Sequence, residues 1–403
     1  MANVQSVGLR QSVPMLPIYA TACFSLSVTL MKGVAVPLWC IALGMPPAMM
    51  GVVMSARSIL PLFLSIHGGA LMDRLGVRRT LMVLTVINAV LPWLYPAFPL
   101  IIAVVILELI GGLTISMAWI GAQTALARVA QGDPKAAGRF SFATNLGNLL
   151  GPLLVGIAWE LGGAIAGFGS ISAWGVLLLI SVLFLPVGDR DKPPLASWKE
   201  LLPDWNSYVQ AFRMLRQPGV DMVVFMTFLR IAAYSVQGSF YAVALVYLGQ
   251  SEANIGMLMG IAGLSSGAAT LLSNIVAKMV GSQKAVLVGG IGMAVVFICI
   301  TPALGSFPVL FVVALLFGLG MGISLPLLLS VLSSAIPRAQ QGVSVGLRST
   351  ANRLAGVIVP IGLGLVIDRL GIEYGFYVVG ALLLAILGVG TSLLSRRALR
   401  VSH

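Results

Sequence analysis

Long apolar runs separated by short polar gaps are the feature that most limits what this chain can become. About 20 apolar residues in helical form cross the hydrocarbon core of a bilayer. By that length the spans fall at 14–41, 47–69, 80–97, 99–124, 139–161 and 164–187, then at 219–247, 253–277, 284–304, 307–334, 341–367 and 373–395. In hydrocarbon every backbone N–H and C=O must be satisfied within the protein. The chain is therefore predicted to be an all-α membrane protein of about twelve transmembrane helices. Its 59% hydrophobic and 9% charged residues exclude a soluble domain, whose core could not hide so much apolar surface. The first run starts near Pro14, is too long for a signal peptide and lacks a clear small-residue cleavage site, so it reads as a true span.

The net charge of +12 is too thinly spread for a nucleic-acid groove, and topology accounts for it better. Arg10, Arg74, Arg78, Arg79, Arg128, Lys135, Arg139, Arg190, Lys192, Lys199, Arg213, Arg216, Lys278, Lys284, Arg338, Arg396, Arg397 and Arg400 fall on one side, and only Arg369 falls in the opposite loops. The positive-inside rule then places both termini and the central loop in the cytoplasm, at a bacterial-type inner membrane. The one long polar stretch contains Trp205, Tyr208, Val209, Phe212 and Leu215 on a single helical face, and predicts an amphipathic helix on the membrane surface. It divides the chain into a six-helix half at 14–187, a linker at 188–218, a second half at 219–395 and a tail at 396–403.

The halves repeat one another. Lys32-Gly33 and Leu43-Gly44 recur as Gln237-Gly238 and Leu248-Gly249, 205 residues on. Pro152, Glu160 and Gly163 recur as Pro360, Asp368 and Gly371, 208 residues on. Parallel repeats of six helices are a transporter architecture with the binding site between them.

Two motifs sharpen this. GALMDRLGVRR, from Gly69 to Arg79, joins the second and third spans, with Gly69, Asp73, Arg74, Gly76, Arg78 and Arg79 as its marked positions. Its glycines permit close packing and a tight turn, and Asp73 can face a helix N-terminus or an arginine across the seam. In the fifth span, Gly138, Gly147, Gly151, Pro152 and Gly156 form a spaced small-residue pattern that lets helices approach and bend. With these motifs the chain resembles the major facilitator superfamily over its whole length. The resemblance implies a pseudo-symmetric pair of six-helix bundles, a monomer, and a gate-latch role for the first motif. The second is similar to the family's antiporter motif and implies efflux. It further implies that spans one, four, seven and ten line the cavity. Where many family exporters carry an arginine in the fourth span, this chain has Glu108 in ELIGG.

Lys32, Arg57, Glu108, Arg230, Arg348 and Arg353 lie well inside the spans. Each costs about 2.5–3.5 kcal/mol at a helix centre, so each is expected to face a polar interior. All six fall on spans one, two, four, seven and eleven. Arg230, Tyr234, Gln237 and Tyr241 form one stripe on span seven, which the repeat superposes on Ser25, Thr29 and Lys32 of span one. The two stripes are expected to face each other, with Arg57, Arg348 and Asn352 completing a substrate site. Five cations against one anion predict an anionic guest. Glu108, the one mid-membrane carboxylate, is the expected proton carrier, with Arg353 or Arg57 as alternative structural partners for it.

No nucleotide-binding loop, metal cluster or nucleophile–base constellation is present, so neither a cofactor nor an enzyme activity is expected. The expected function is proton-coupled efflux of a small organic anion, a carboxylate-rich metabolite or siderophore-like compound. The alternatives are anion import by proton symport and broad drug export.

Overall fold

Among the described residues six glycines hold φ between +61° and +93°, a region closed to most residues, and they form three pairs. Gly44 pairs with Gly249 and Gly76 with Gly281, each 205 residues apart, and Gly163 pairs with Gly371, 208 apart. All six mark places where the chain turns from one helix into the next. The repeat first visible as side-chain matches is thus a repeat of backbone conformation.

The computed structural model describes residues 14–130, 133–186, 220–335 and 341–401, and side chains throughout these except at 65–75, 332–335, 341–347 and 395–401. The expected surface helix within 188–218 lies outside the described residues, as do Arg10 and the end of the tail. Among the described residues eleven helices are long and apolar enough to cross a membrane. They are α1 (Leu16–Ala42), α2 (Pro47–Leu75), α3 (Val77–Ala97), α4 (Ile101–Ala130), a continuous Pro134–Leu183, α7 (Val220–Tyr247), α8 (Glu252–Val280), α9 (Gln283–Ala303), α10 (Phe307–Ala335), α11 (Gln341–Leu370) and α12 (Ile372–Val401). Pro134–Leu183 has 50 residues and is broken by non-helical backbone at Gly162 and Gly163. It therefore supplies two crossings, α5 (134–161) and α6 (164–183), which brings the total to twelve.

Local sequence sets the ends and defects of these helices. Asp133 accepts a hydrogen bond from the Lys135 amide at 2.9 Å and starts α5. Ser251 and Ser282 cap α8 and α9 in the same way, accepting from Asn254 and Ala285. Pro92 sits in a 3₁₀ turn, Leu91–Trp93, that interrupts α3 before Tyr95. In α7 the residues Gln237–Tyr241 adopt a π-helix.

Lipid supplies no hydrophobic drive between helices, so association depends on close packing and interhelical hydrogen bonds. The first helix packs along α5, with Gly147 against the Cys23 carbonyl and Gly151 against Met31. Trp174 Nε1 donates to Ser27 Oγ at 2.8 Å, tying α6 to α1. The halves meet along α2–α11 and α5–α8, and at the centre Gly33 of α1 faces Gly238 of α7.

Candidate functional site

Lys32 Nζ lies 2.7 Å from Glu108 Oε1, and both side chains are almost wholly buried. The same oxygen accepts a hydrogen bond from the Tyr95 hydroxyl at 2.5 Å. The break at Pro92 lets the end of α3 turn Tyr95 inward. Its ring stacks on Phe168 at 4.6 Å, and Lys32 Nζ stands 5.2 Å from the ring centroid. The two glycines of ELIGG complete the setting. A Cβ at Gly111 would lie 2.5 Å from Lys32 Nζ, so this glycine makes room for the ammonium, while Gly112 packs on the backbone of Arg57. Pairing with Lys32 and the Tyr95 hydrogen bond offset part of the cost of burial at Oε1, while Glu108 Oε2 is buried without a hydrogen-bond partner.

This corrects two expectations. The partner of Glu108 is Lys32, not Arg353 or Arg57. The Lys32 side chain turns into its own half, towards α4, and does not face the α7 stripe across the seam. Span pattern and helical spacing could not separate these possibilities, because they give a residue's face and not the rotation of its neighbours.

Across the seam, the α7 stripe makes its own polar cluster. Arg230 Nε donates to Ser324 Oγ at 3.0 Å and Nη2 to the Met321 carbonyl at 3.1 Å, both on α10. Tyr234 and Arg348 lie within electrostatic reach of Arg230, and Tyr234 also within reach of Arg57. Gln237 and Tyr241 are buried further along the stripe. Four polar atoms are buried here without a hydrogen-bond partner: Arg348 Nε, Asn352 Oδ1, Tyr241 Oη and Thr227 Oγ1. Arg57 bridges the two clusters: its Nη2 donates to the Gly238 carbonyl, and Glu108 lies within reach of its charge. Tyr95, Ser324 and Thr227 were not anticipated from the sequence. The signal for Tyr95 was a tyrosine between Pro92 and Pro96 at the end of a span.

The described parts of the two motifs form a turn and helix contacts. Gly76 makes the turn between α2 and α3 at φ +93°, Arg78 donates to the Leu183 carbonyl at the end of α6, and Arg79 is exposed. The side chains of Asp73 and Arg74, like Gly69, lie outside those described. In the fifth-helix motif Gly147 and Gly151 face α1, whereas Pro152 and Gly156 face α8 of the other half.

Twelve crossings among the described residues, in two repeated halves with the interior arginines on helices at the seam, define a polytopic solute carrier. The chain belongs to the Major Facilitator Superfamily, whose sequence profile matches residues 18–222 and 223–400. It is a multi-pass membrane transporter and not an enzyme. Its fold is similar to that of the nucleoside transporter NupG, at 14% identity and a TM-score of 0.73 over 94% of this chain and 98% of that one. A bacterial homologue of the human lysosomal transporter Spinster, solved inward-facing and unoccupied, aligns at 13% identity and a TM-score of 0.71 over 98% and 99%. The human organic anion transporter MFSD10 aligns at 18% and 0.61 over 93% and 99%. No curated protein sequence matches the chain. Likeness at such identities establishes the fold and carries no substrate.

Proposed function

We propose that this protein exports a small organic anion, a carboxylate-rich metabolite or siderophore-like compound, in exchange for protons. The observation that carries this reading is the charge balance left once the internal pair has formed. Lys32 neutralises Glu108, while Arg57, Arg230 and Arg348 have no carboxylate within salt-bridge distance among the described residues. A solute that brings negative charge completes this set, and a guanidinium fork suits carboxylate or phosphate. Tyr234, Gln237, Tyr241 and Asn352 supply hydroxyl and amide contacts beside the arginines. A lipophilic cation would be repelled, which argues against broad drug export.

Glu108 is the proton site of this reading. A proton on its carboxylate dissolves the ion pair with Lys32, so protonation state and packing within the first half are linked. The two halves then rock about the site between them. The lysines and arginines favour a cytoplasmic location for both termini in the inner membrane, and the family resemblance favours a monomer. Export rests on the likeness of the fifth-helix glycines to the antiporter motif. Import of the same anions by proton symport is the second reading, since the arginines suit either direction.

The test is a mass-spectrometric comparison of cells and medium with the protein deleted and overproduced. Export predicts an anion that accumulates in deleted cells and in the medium of overproducers. An anion left unused in the medium of deleted cells would mean import, and accumulation of lipophilic cations would overturn the anion reading.

A further inference from the structure

The π-helix of α7 and the guanidinium of Arg57 meet at the centre of the molecule. Regular helices keep their carbonyls within their own ladder, whereas a π turn disturbs that ladder, and such turns gather at functional sites. Here the disturbed segment is Gln237–Tyr241, and the Gly238 carbonyl within it accepts from Arg57 Nη2 of the opposite half. A Cβ at Gly238 would lie 3.4 Å from Nη2, in ordinary contact, so the guanidinium packs directly over this residue. The contact stands beside the approach of Gly33 to Gly238, where α1 and α7 of the two repeats meet. The other terminal nitrogen of Arg57, Nη1, is buried with no partner.

The charges around Glu108 are Lys32 of α1 and Arg57 of α2, with the polar Tyr95 at the end of α3 and the Cys40 thiol of α1 in the same neighbourhood. Lys32 and Arg57 also act on each other, as like charges. While Glu108 is ionised, its charge offsets part of that repulsion. When Glu108 takes up a proton, two cations remain in a buried, weakly screened space with no anion between them. Lys32 is enclosed by Glu108, Tyr95 and Gly111. Arg57 lies at the seam, and its free Nη1 and the nearby Tyr234 offer it a way into the second half.

We propose that Arg57 is a coupling strut, holding the Gly238 carbonyl of the other half while Glu108 is ionised and releasing it when Glu108 is protonated. This rests on the reading of Glu108 as the proton site. It assigns Arg57 a positioning role between the proton site and the opposite half, distinct from that of a fixed solute ligand. It also explains why the two halves should respond to a proton buried wholly within one of them.

The experiment is a distance measurement between the halves in the full chain, in lipid nanodiscs without added solute. Spin labels replace Leu161 of α5 and Tyr247 of α7, both exposed and at the same end of the bundle, in a background with the native cysteines replaced. Mildly acidic buffer is expected to move the wild-type distribution to longer distances than mildly alkaline buffer. Arg57→Gln is expected to lose most of that shift, and Arg57→Lys, which keeps the charge, to recover at least part of it. Glu108→Gln is expected to show the acidic distribution in both buffers. An undiminished shift in folded Arg57→Gln protein, or complete loss in Arg57→Lys, overturns the strut. If wild type does not respond, or Glu108→Gln still responds, the proton site itself is wrong, and the strut falls with it for that separate reason.

Discussion

The carbonyl of Pro360 on α11 occupies the place that a side chain at Gly51 on α2 would need. The seam between α5 and α8 repeats the arrangement, with the Pro152 carbonyl against Gly256. Each seam also carries the reciprocal contact: Gly364 meets the Pro47 carbonyl, and Gly156 meets that of Glu252. A shift of 205 residues carries α2 onto α8, and one of 208 carries α5 onto α11, so the four contacts are two contacts, each made once in each seam. Two rigid bodies that rock against each other need seams that close without side chains in between. A valine at Gly51 or at Gly256 should therefore hold this end apart, at an overpacking cost of about 1–3 kcal/mol. Thiol reagents should react faster with a cysteine introduced at Ala48 or Ala253. Gly289→Val is the control, since nothing lies within 4 Å of its Cβ position. Equal labelling in all three variants would mean that the seams are slack.

The Lys32–Glu108 pair makes a prediction of opposite signs for single and double substitutions. Removing one partner of a buried pair leaves an uncompensated charge and costs about 3–5 kcal/mol. Lys32→Met should thus lower the thermal midpoint of the purified protein markedly. Adding Glu108→Gln to it removes the stranded carboxylate, and the double variant should regain most of the lost stability. A double variant as unstable as Lys32→Met would show that the lysine stem, and not its charge, supports the fold.

Helix number, the break between α5 and α6, and the two-fold repeat were all legible in the sequence, because bilayer thickness and turn glycines act locally. The helices overrun the predicted spans, as at Leu75 and Ala130, because a helix can continue past the apolar layer once it has left it. The interior charges were also legible as a set, since hydrocarbon makes each one conspicuous. Their pairing was not. Lys32 finds Glu108 through the space at Gly111, and Tyr95 reaches the same oxygen because Pro92 breaks α3. Both depend on how neighbouring helices rotate against one another, which a single helix's periodicity does not contain. Ser324 escaped notice for the same reason: in an apolar span, one serine among many becomes significant only when an arginine from another helix meets it.

Glu108→Gln should separate transport from the proton gradient. The amide can keep the Tyr95 hydrogen bond but cannot bind and release a proton. Proteoliposomes carrying this variant should exchange the anion across the membrane at equal concentrations, yet fail to accumulate it when a proton gradient is imposed. Accumulation at the wild-type level would remove Glu108 from the coupling path.

Ser324 makes the sharpest test of the solute site, because it touches Arg230 without carrying charge itself. Its hydroxyl accepts from Arg230 Nε at 3.0 Å and donates to the Met321 carbonyl at 2.9 Å, so it fixes the plane of the guanidinium. A hydrogen bond to a charged group contributes about 1.5–3 kcal/mol, which corresponds to roughly ten- to hundredfold in an equilibrium constant. If Arg230 binds the anion through an oriented fork, Ser324→Ala should raise the KM for the anion by up to about tenfold, with the maximal rate little changed. Arg230→Lys keeps the charge and loses the fork, and should raise it further. Arg230→Gln should abolish transport at any accessible concentration. The ordering carries the argument. A structural arginine would instead give variants whose transport falls in step with their thermal midpoint, with the KM of the surviving protein unchanged.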